Sequence, residues 1–158
     1  MSLDNIQLTP IVLEGLFSKS LYDLKPAGIV SFLGENRRKI AVLVRATAAM
    51  YLPEDELNFL AGILTACKLS MADIALINVE KNTGLSYTLM TDQVKAETVL
   101  LFGVDLAELS LPLQFPHYQL QHFNNQVYLS SVPLQVLQAD KQEKMKLWNS
   151  LKKVFSLT

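Results

Sequence analysis

Three short apolar runs rich in β-branched residues recur along this chain, at Ile40–Val44, Ile74–Val79 and Thr98–Gly103. Continuous apolar runs of this length are typical of strands that are covered on both faces of a sheet. Each run is therefore predicted to form a central strand. The third run ends at Gly103, where the backbone is expected to turn.

Segments with helical spacing separate these runs. Pro53 and the acidic residues after it open the first, because a helix N-terminus favours negative charge, and its apolar residues recur from Leu57 to Cys67. Cys67 is interpreted as a small core residue, and a second helix is expected around Ser86–Lys95. This order predicts right-handed crossovers and an α/β fold, a three-layer α/β/α sandwich with a mostly parallel central sheet of roughly four to five strands.

The last third of the chain predicts a hairpin followed by a helix. Asn124–Asn125 separates two runs, Tyr118–Phe123 and Gln126–Leu129, in the manner of a sharp reversal between paired strands, and one partner is expected at the sheet edge. Asp140 is a candidate N-cap, with Glu143 three residues later as in a capping box. The apolar face of this helix is predicted to hold Met145, Trp148, Leu151 and Phe155.

The length of the chain and its lack of repeats or linkers indicate a single domain over residues 1–158. Residues 1–36 are predicted to form an N-terminal helical adapter segment, with Thr9 as N-cap and Pro10 at the helix start, packed on an α/β core of residues 37–158. The candidate partner contacts are Ile11, Leu16 and Phe17 in this segment, and Leu111 and Phe115 in a later apolar run. That later run, Leu109–Pro116, is interpreted equally well as a docking patch or as a buried connection.

Composition and charge exclude several classes of protein. The single Cys67 rules out a disulfide framework and a cysteine-ligated metal, and neither His117 nor His122 has neighbouring ligands in the sequence, so no metal and no cofactor are expected. The sequence has no recognisable signal peptide and no membrane-spanning run, which predicts a cytoplasmic protein without membrane contact. It also lacks a P-loop and the dinucleotide-binding, zincin and α/β-hydrolase motifs.

A protein partner is expected rather than nucleic acid. The formal net charge of −1 gives no global attraction to a phosphate backbone. The basic run Arg37–Lys39 and the lysines between Lys141 and Lys153 are candidates for a local phosphate-binding surface, but a solvated helix face and a charged loop are the favoured interpretation. Nucleic acid remains a weaker expectation, and the oligomeric state is left open.

Two segments carry a resemblance to a known enzyme family. Residues 58–81, ending in Ile77-Asn78-Val79-Glu80-Lys81, resemble the stretch of uracil-DNA glycosylases in which an LLxxxLxxxGL helix leads to a strand ending in TNVVK. Residues 127–151 resemble the family's strand, His-Pro-Ser type loop and following helix, and residues 100–103 resemble its apolar strand ending in glycine. The resemblance implies a uracil-DNA glycosylase-like fold.

The loops that would carry the chemistry depart from this family. Breaking an N-glycosidic bond needs a group that activates water and a donor that stabilises charge on the leaving base. The first loop, Arg45–Met50, has neither the carboxylate nor the glycines of the Gly-Glu-x-Pro-Gly type loop, and the second, Ser130–Pro133, has no histidine. Asn78 matches the position whose amide reads the uracil edge, although a strand-end asparagine bonded to its own turn is the favoured interpretation.

The sequence therefore favours a non-catalytic protein over an enzyme. Its size and lost catalytic loops are similar to those of the psi subunits of bacterial DNA polymerase III, which implies an adapter subunit in DNA replication or repair. The competing hypothesis is a divergent glycosylase or small hydrolase that uses Thr47, Asn78 and Ser131 in a crevice at the carboxyl ends of the strands. An interaction module unrelated to DNA is a third.

Overall fold

The computed structural model describes residues 29–82, 84–112 and 114–157 of the chain. In this part the strands form one sheet in the order β2-β1-β3-β5-β4. Four strands are parallel, and β4 runs antiparallel to β5 at one edge. The strands are β1 (Ile40–Val44), β2 (Ile74–Asn78), β3 (Thr98–Phe102), β4 (Gln121–Phe123) and β5 (Gln126–Ser131).

Four α-helices and several short helical turns lie between and after the strands in the described residues. The helices are α1 (Glu54–Ala66), α2 (Tyr87–Leu89), α3 (Leu134–Ala139) and α4 (Lys141–Val154). A π-helical turn, Met90–Val94, continues α2, and 3₁₀ turns occupy Met71–Asp73, Val79–Lys81 and Leu106–Leu109. This arrangement confirms an α/β fold with a mostly parallel sheet of five strands. None of these helices is both long enough and apolar enough to cross a membrane.

The three predicted central strands are confirmed. All five residues of β1 and of β2 are buried, and β1 lies between β2 and β3 with Ile40 in register with both Ile74 and Thr98. Because each strand is covered on both faces, the side chains that point to its two faces are equally apolar. Gly103 follows β3 at φ +71°, and a Cβ atom there would lie 2.7 Å from Cγ of Pro133, so the turn requires glycine.

Two apolar clusters cover the two faces of the sheet. On one face α1, α3 and α4 pack against the strands, and Leu60, Leu137 and Leu147 are nearly inaccessible to solvent. Burying a side chain of this size contributes about 2 kcal/mol relative to leaving it exposed. On the other face the π-helical turn contributes Met90 and Val94, which pack with the alternate residues of the strands.

The predicted hairpin and its edge strand are also confirmed. Asn124 and Asn125 have φ of +55° and +61°, which is the left-handed conformation that both central residues of a two-residue hairpin turn need. The shorter partner, β4, lies at the sheet edge. The second predicted helix begins after Ser86, whose Oγ accepts from the Leu89 amide at 3.4 Å, and it ends at Lys95 with φ +56°.

The C-terminal helix begins where it was predicted to begin, and its predicted apolar face packs against the core except at one residue. Asp140 Oδ1 accepts from the amides of Gln142 and Glu143 at 2.9 and 3.2 Å, which confirms the N-cap. The predicted apolar face is wrong at Met145, which is 65% exposed. The fully buried stripe holds Leu147, Ser150 and Leu151, and Trp148 and Phe155 lie at its border.

Residues 29–36 belong to the predicted helical adapter segment, but they contain no helix. Leu33 and Leu76 exchange two backbone hydrogen bonds at 2.9 and 2.8 Å, so this stretch forms an antiparallel bridge along the outer edge of β2. Gly34, at φ +108°, lies so close to the Ile74 carbonyl that a Cβ atom would be 2.3 Å from its oxygen. The predicted helix around Ile11, Leu16 and Phe17 lies outside the described residues.

Candidate functional site

The strand order reverses between β1 and β3, and the crevice beyond their carboxyl ends is the usual ligand position in an open α/β sheet. A cavity of about 180 Å³ lies there. Its wall includes Arg45 after β1, Gly103 after β3, Glu56 from the first turn of α1 and Gln135 from α3. The site is thus bounded by one cation, one carboxylate and one amide.

The Asn78 side chain is completely buried, and its hydrogen bonds go to backbone groups. Its Oδ1 accepts from the amides of Ala46 at 3.0 Å and Glu80 at 3.1 Å. Its Nδ2 donates to the carbonyl oxygens of Ala46 at 2.7 Å, Ala49 at 3.2 Å and Met50 at 3.1 Å. The bond to Glu80 is the predicted contact with its own turn, and the others hold the loop between β1 and α1 against β2.

Arg45 is the cation of the crevice, and two carboxylates neutralise it. Its guanidinium donates to the carboxylates of Glu80 and Glu108, one from each neighbouring loop. Each of these side chains is about one-third exposed, so the pairs are only partly screened by water. Arg45 therefore joins the loops after β1, β2 and β3 rather than offering a free positive charge.

Glu56 is the carboxylate of the crevice, although the sequence indicates it only as one of the acids at the start of α1. Burial raises the pKa of its carboxyl, and the neighbouring charge of Asp55 raises it further. A hydrogen bond at 3.1 Å from Nε2 of Gln135 acts in the opposite direction. Asn78 does not line this cavity, so the acid and the amide do not form the pair that a base-excising enzyme would need.

Thr47, Asn78 and Ser131 do not converge. Thr47 is exposed on the loop after β1, whereas Ser131 is buried and donates through Oγ to the Val132 carbonyl at 3.1 Å. Asn78 ends β2 and Ser131 ends β5, with β1 and β3 between them. Three strand spacings of about 4.8 Å place these two ends roughly 14 Å apart. This arrangement does not support a glycosylase or hydrolase that uses Thr47, Asn78 and Ser131 in one crevice.

Leu111 and Phe115, predicted as partner contacts, pack inward. Leu111 is buried in the apolar cluster on the α2 side of the sheet, and Phe115 packs against that cluster at half burial. Leu111 is therefore part of the core, whereas Phe115 also lines a cavity at the carboxyl end of β5. The contacts predicted at Ile11, Leu16 and Phe17 are not among the described residues.

A second polar site, which the sequence did not indicate, lies at the carboxyl end of β5. Nδ1 of His117 and Oγ of Ser130 are 3.0 Å apart. They line a cavity of about 370 Å³ whose wall also includes Asp105 and Gln114. The pairing arises because the Tyr118 amide bonds to the Ser130 carbonyl at 2.9 Å, which lays the preceding loop beside the strand. Spacing in the sequence gives no signal for such a contact.

No three His, Cys, Asp or Glu side chains come together as potential metal ligands in the described residues. Arg37 pairs with Glu35 at 2.6 Å and Lys39 with Glu97 at 3.9 Å, so the predicted basic run is partly neutralised. Comparison with known proteins finds no matching family and no significant match to a curated protein.

Proposed function

We propose that this chain is a non-catalytic member of the uracil-DNA glycosylase superfamily that acts as a cytoplasmic adapter subunit in DNA replication or repair, similar to the psi subunit of DNA polymerase III. The observation that carries the proposal is the commitment of the Asn78 amide to backbone groups. An amide that reads uracil must leave a donor and an acceptor free for the base. Here both are bonded to Ala46.

The order of elements supports the superfamily assignment. The segment that resembles the glycosylases, residues 58–81, runs through α1, the connecting turn and β2. The second, residues 127–151, runs through β5, α3 and α4. Both segments therefore contain helices and strands where the resemblance implies them.

The state of the crevice supports a loss of catalysis. Its cation is held by two carboxylates, and its volume of about 180 Å³ is below the 300 Å³ or more that is typical of a ligand pocket. The Glu56 carboxyl faces Gln135 rather than Asn78. A protein with this crevice would act through its outer surfaces.

Two experiments test the proposal. A fluorescent uracil-containing oligonucleotide is incubated with the full chain, and no base release above a no-enzyme control is expected. Separately, the tagged chain is used to capture purified clamp-loader subunits of the source organism, and deletion of residues 1–25 is expected to abolish capture. Full-length Leu16→Asp with Phe17→Asp is the matched variant, since it keeps the chain length. Uracil excision that Asn78→Ala removes, or capture that survives the deletion, contradicts the proposal.

A small hydrolase is the second candidate, and the His117–Ser130 contact favours it. A histidine within hydrogen-bond reach of a serine can take its proton during nucleophilic attack. A fluorophosphonate probe that labels serine nucleophiles decides between the candidates. Labelling at Ser130 that His117→Gln abolishes, while Ser131→Ala retains it, supports the hydrolase. The absence of labelling supports the adapter.

A further inference from the structure

An apolar groove of about 420 Å³ runs between α1 and α4 on the outer side of the sheet. Its wall includes Phe59, Gly62, Ile63 and Ala66 from α1, and Trp148 and Leu151 from α4. The α1 residues that line it span residues 58–66, which is about 12 Å along the helix axis at 1.5 Å per residue. The groove is therefore about as long as two turns of a helix, and it is separate from the crevice at the strand ends.

Gly62 keeps the groove open. It lies inside α1 with ordinary helical geometry, and a Cβ atom built there meets no atom within 4 Å. Neither a positive φ nor a close contact in the fold therefore calls for glycine at this position. Glycine inside a helix costs roughly 0.5–1 kcal/mol relative to alanine, so its effect here is to leave space in the α1 wall of the groove.

The charge along α4 indicates what kind of partner fits. This helix carries five lysines against one acid, Glu143, although the whole chain has a net charge of −1. Lys146 pairs with Glu143, whereas Lys141, Lys144 and Lys152 form no ion pair with any residue that the structure describes. Lys144 lies in the wall of the groove, with Nζ 5.6 Å from the centre of the Phe59 ring. The α4 rim is thus cationic beside an apolar floor.

We propose that this groove binds an amphipathic helix of a partner protein that places an apolar stripe between α1 and α4 and acidic residues against the lysines of α4. Helix-in-groove recognition uses apolar anchors at i, i+3, i+4 and i+7, which is the two-turn length available here. Acidic flanks would pair with Lys141, Lys144 and Lys152, and such complementarity selects the partner. The inference rests on the proposed adapter function, since the groove would give the adapter a second partner-binding surface, distinct from residues 1–25.

The test uses a fluorescein-labelled helical peptide with leucines at the anchor positions and glutamates on its flanks. The control peptide has lysines in place of the glutamates. Fluorescence anisotropy with the full-length protein is expected to show saturable binding of the glutamate peptide and at least about tenfold weaker binding of the lysine peptide. Gly62→Leu is expected to weaken binding of the glutamate peptide by at least about tenfold. Thr65→Leu, exposed on the same helix but outside the groove, is expected to leave binding unchanged.

A second variant keeps the proposal testable if Gly62→Leu disturbs the fold. Lys144→Glu is expected to weaken binding of the glutamate peptide by about tenfold. Lys146→Glu makes the same change in net charge outside the groove and is expected to weaken binding by less than about twofold. Equal binding of the two peptides, or equal effects of the two lysine variants, overturns the proposal.

Two further measurements show whether something other than a partner helix occupies the groove, and either occupant overturns the proposal. If deletion of residues 1–28 tightens binding of the glutamate peptide by tenfold or more, the chain's own N-terminal segment occupies the groove. If sedimentation velocity shows a dimer that Gly62→Leu dissociates, a second copy occupies it. Failure of peptide binding leaves capture of clamp-loader subunits by residues 1–25 unaffected, so the groove proposal and the adapter proposal fail independently.

Discussion

Asn78 and Ala46 face each other through a pair of hydrogen bonds, with Oδ1 of Asn78 accepting from the Ala46 amide at 3.0 Å and Nδ2 donating to the Ala46 carbonyl at 2.7 Å. The same donor and acceptor pair on a side-chain amide would match the edge of a uracil base. In this protein the backbone N–H and C=O of Ala46, in the loop after β1, take up that donor and that acceptor. The amide at the end of β2 therefore stabilises the loop instead of presenting itself to a ligand.

Asn78→Ala should destabilise the fold strongly. The substitution removes the partners of two backbone amides and three backbone carbonyls, of which the Ala46 pair is buried, and unpaired buried groups cost about 1–3 kcal/mol each. We expect a loss of about 2–4 kcal/mol in the free energy of unfolding, measured by urea denaturation. The control is Asn149→Ala on the exposed side of α4, which should change stability by less than about 0.5 kcal/mol. Equal effects of the two substitutions would show that the hydrogen bonds of the Asn78 side chain contribute nothing to the free energy of unfolding.

Three glycine-to-alanine substitutions should separate backbone strain from crowding. Gly103 combines φ +71° with a close approach to Pro133, whereas Gly84 has φ +75° and open space around it. We expect Gly84→Ala to cost about 1 kcal/mol from backbone strain alone, and Gly103→Ala about 2–4 kcal/mol because crowding adds to that strain. Gly62→Ala should stabilise α1 by roughly 0.5–1 kcal/mol. Thermal denaturation of the three variants tests this order, and a Gly103 variant no worse than the Gly84 variant would contradict the crowding argument.

Tyr118 should control the titration of Glu143. Its hydroxyl donates to the Glu143 carboxylate at 2.7 Å, and this bond, followed by the bond from Lys146, lowers the pKa of the carboxyl below its ordinary 4.5. A carboxyl with a lowered pKa contributes stability that is present above pH 4.5 and is lost as the pH falls through its folded-state pKa. We expect Tyr118→Phe to move the pKa of Glu143 back towards 4.5, as followed by carboxyl NMR titration. An unchanged titration in that variant would exclude the hydroxyl as the cause.

Cys67 should be nearly unreactive in the folded protein. Burial raises the pKa of its thiol to about 11, and the side chain is only 4% exposed. At pH 8 about one thiol in a thousand would be ionised, compared with about one in ten for a thiol with a pKa of 9. A disulfide reagent should therefore label the native protein slowly and the urea-unfolded protein at once. The variant that combines Cys67→Ala with Thr65→Cys places the thiol at an exposed position and should react rapidly without urea.

The sheet could be predicted from the sequence because its strands are covered on both faces. Apolar side chains then occupy inward and outward positions alike, and the three runs at Ile40–Val44, Ile74–Val79 and Thr98–Gly103 are recognisable without knowing the partners. The face of α4 could not be placed as well. Met145 and Leu147 are both apolar, and only packing against the sheet decides that Leu147 is buried and Met145 is exposed.

The polar sites depend on contacts between distant parts of the chain, and local patterns do not encode these. Arg45 reaches Glu80 and Glu108 across two loops, and His117 reaches Ser130 because its loop folds back along β5. Asn78 could be placed at the end of its strand, and its bond to Glu80 could be predicted from the local turn. Its bonds to the loop before α1 required the two strands to be neighbours in the sheet.

The stretch that lies along β2 has a consequence for how this protein can associate with others. An open strand edge is a template for pairing with a second chain, and natural proteins shield such edges. Here the bridge between Leu33 and Leu76 already occupies hydrogen-bonding groups on the outer side of β2. Backbone pairing along that side would require Leu33 to detach first, so recognition at the β2 edge is directed to side-chain surfaces, where specificity can be altered by single substitutions without rebuilding the sheet.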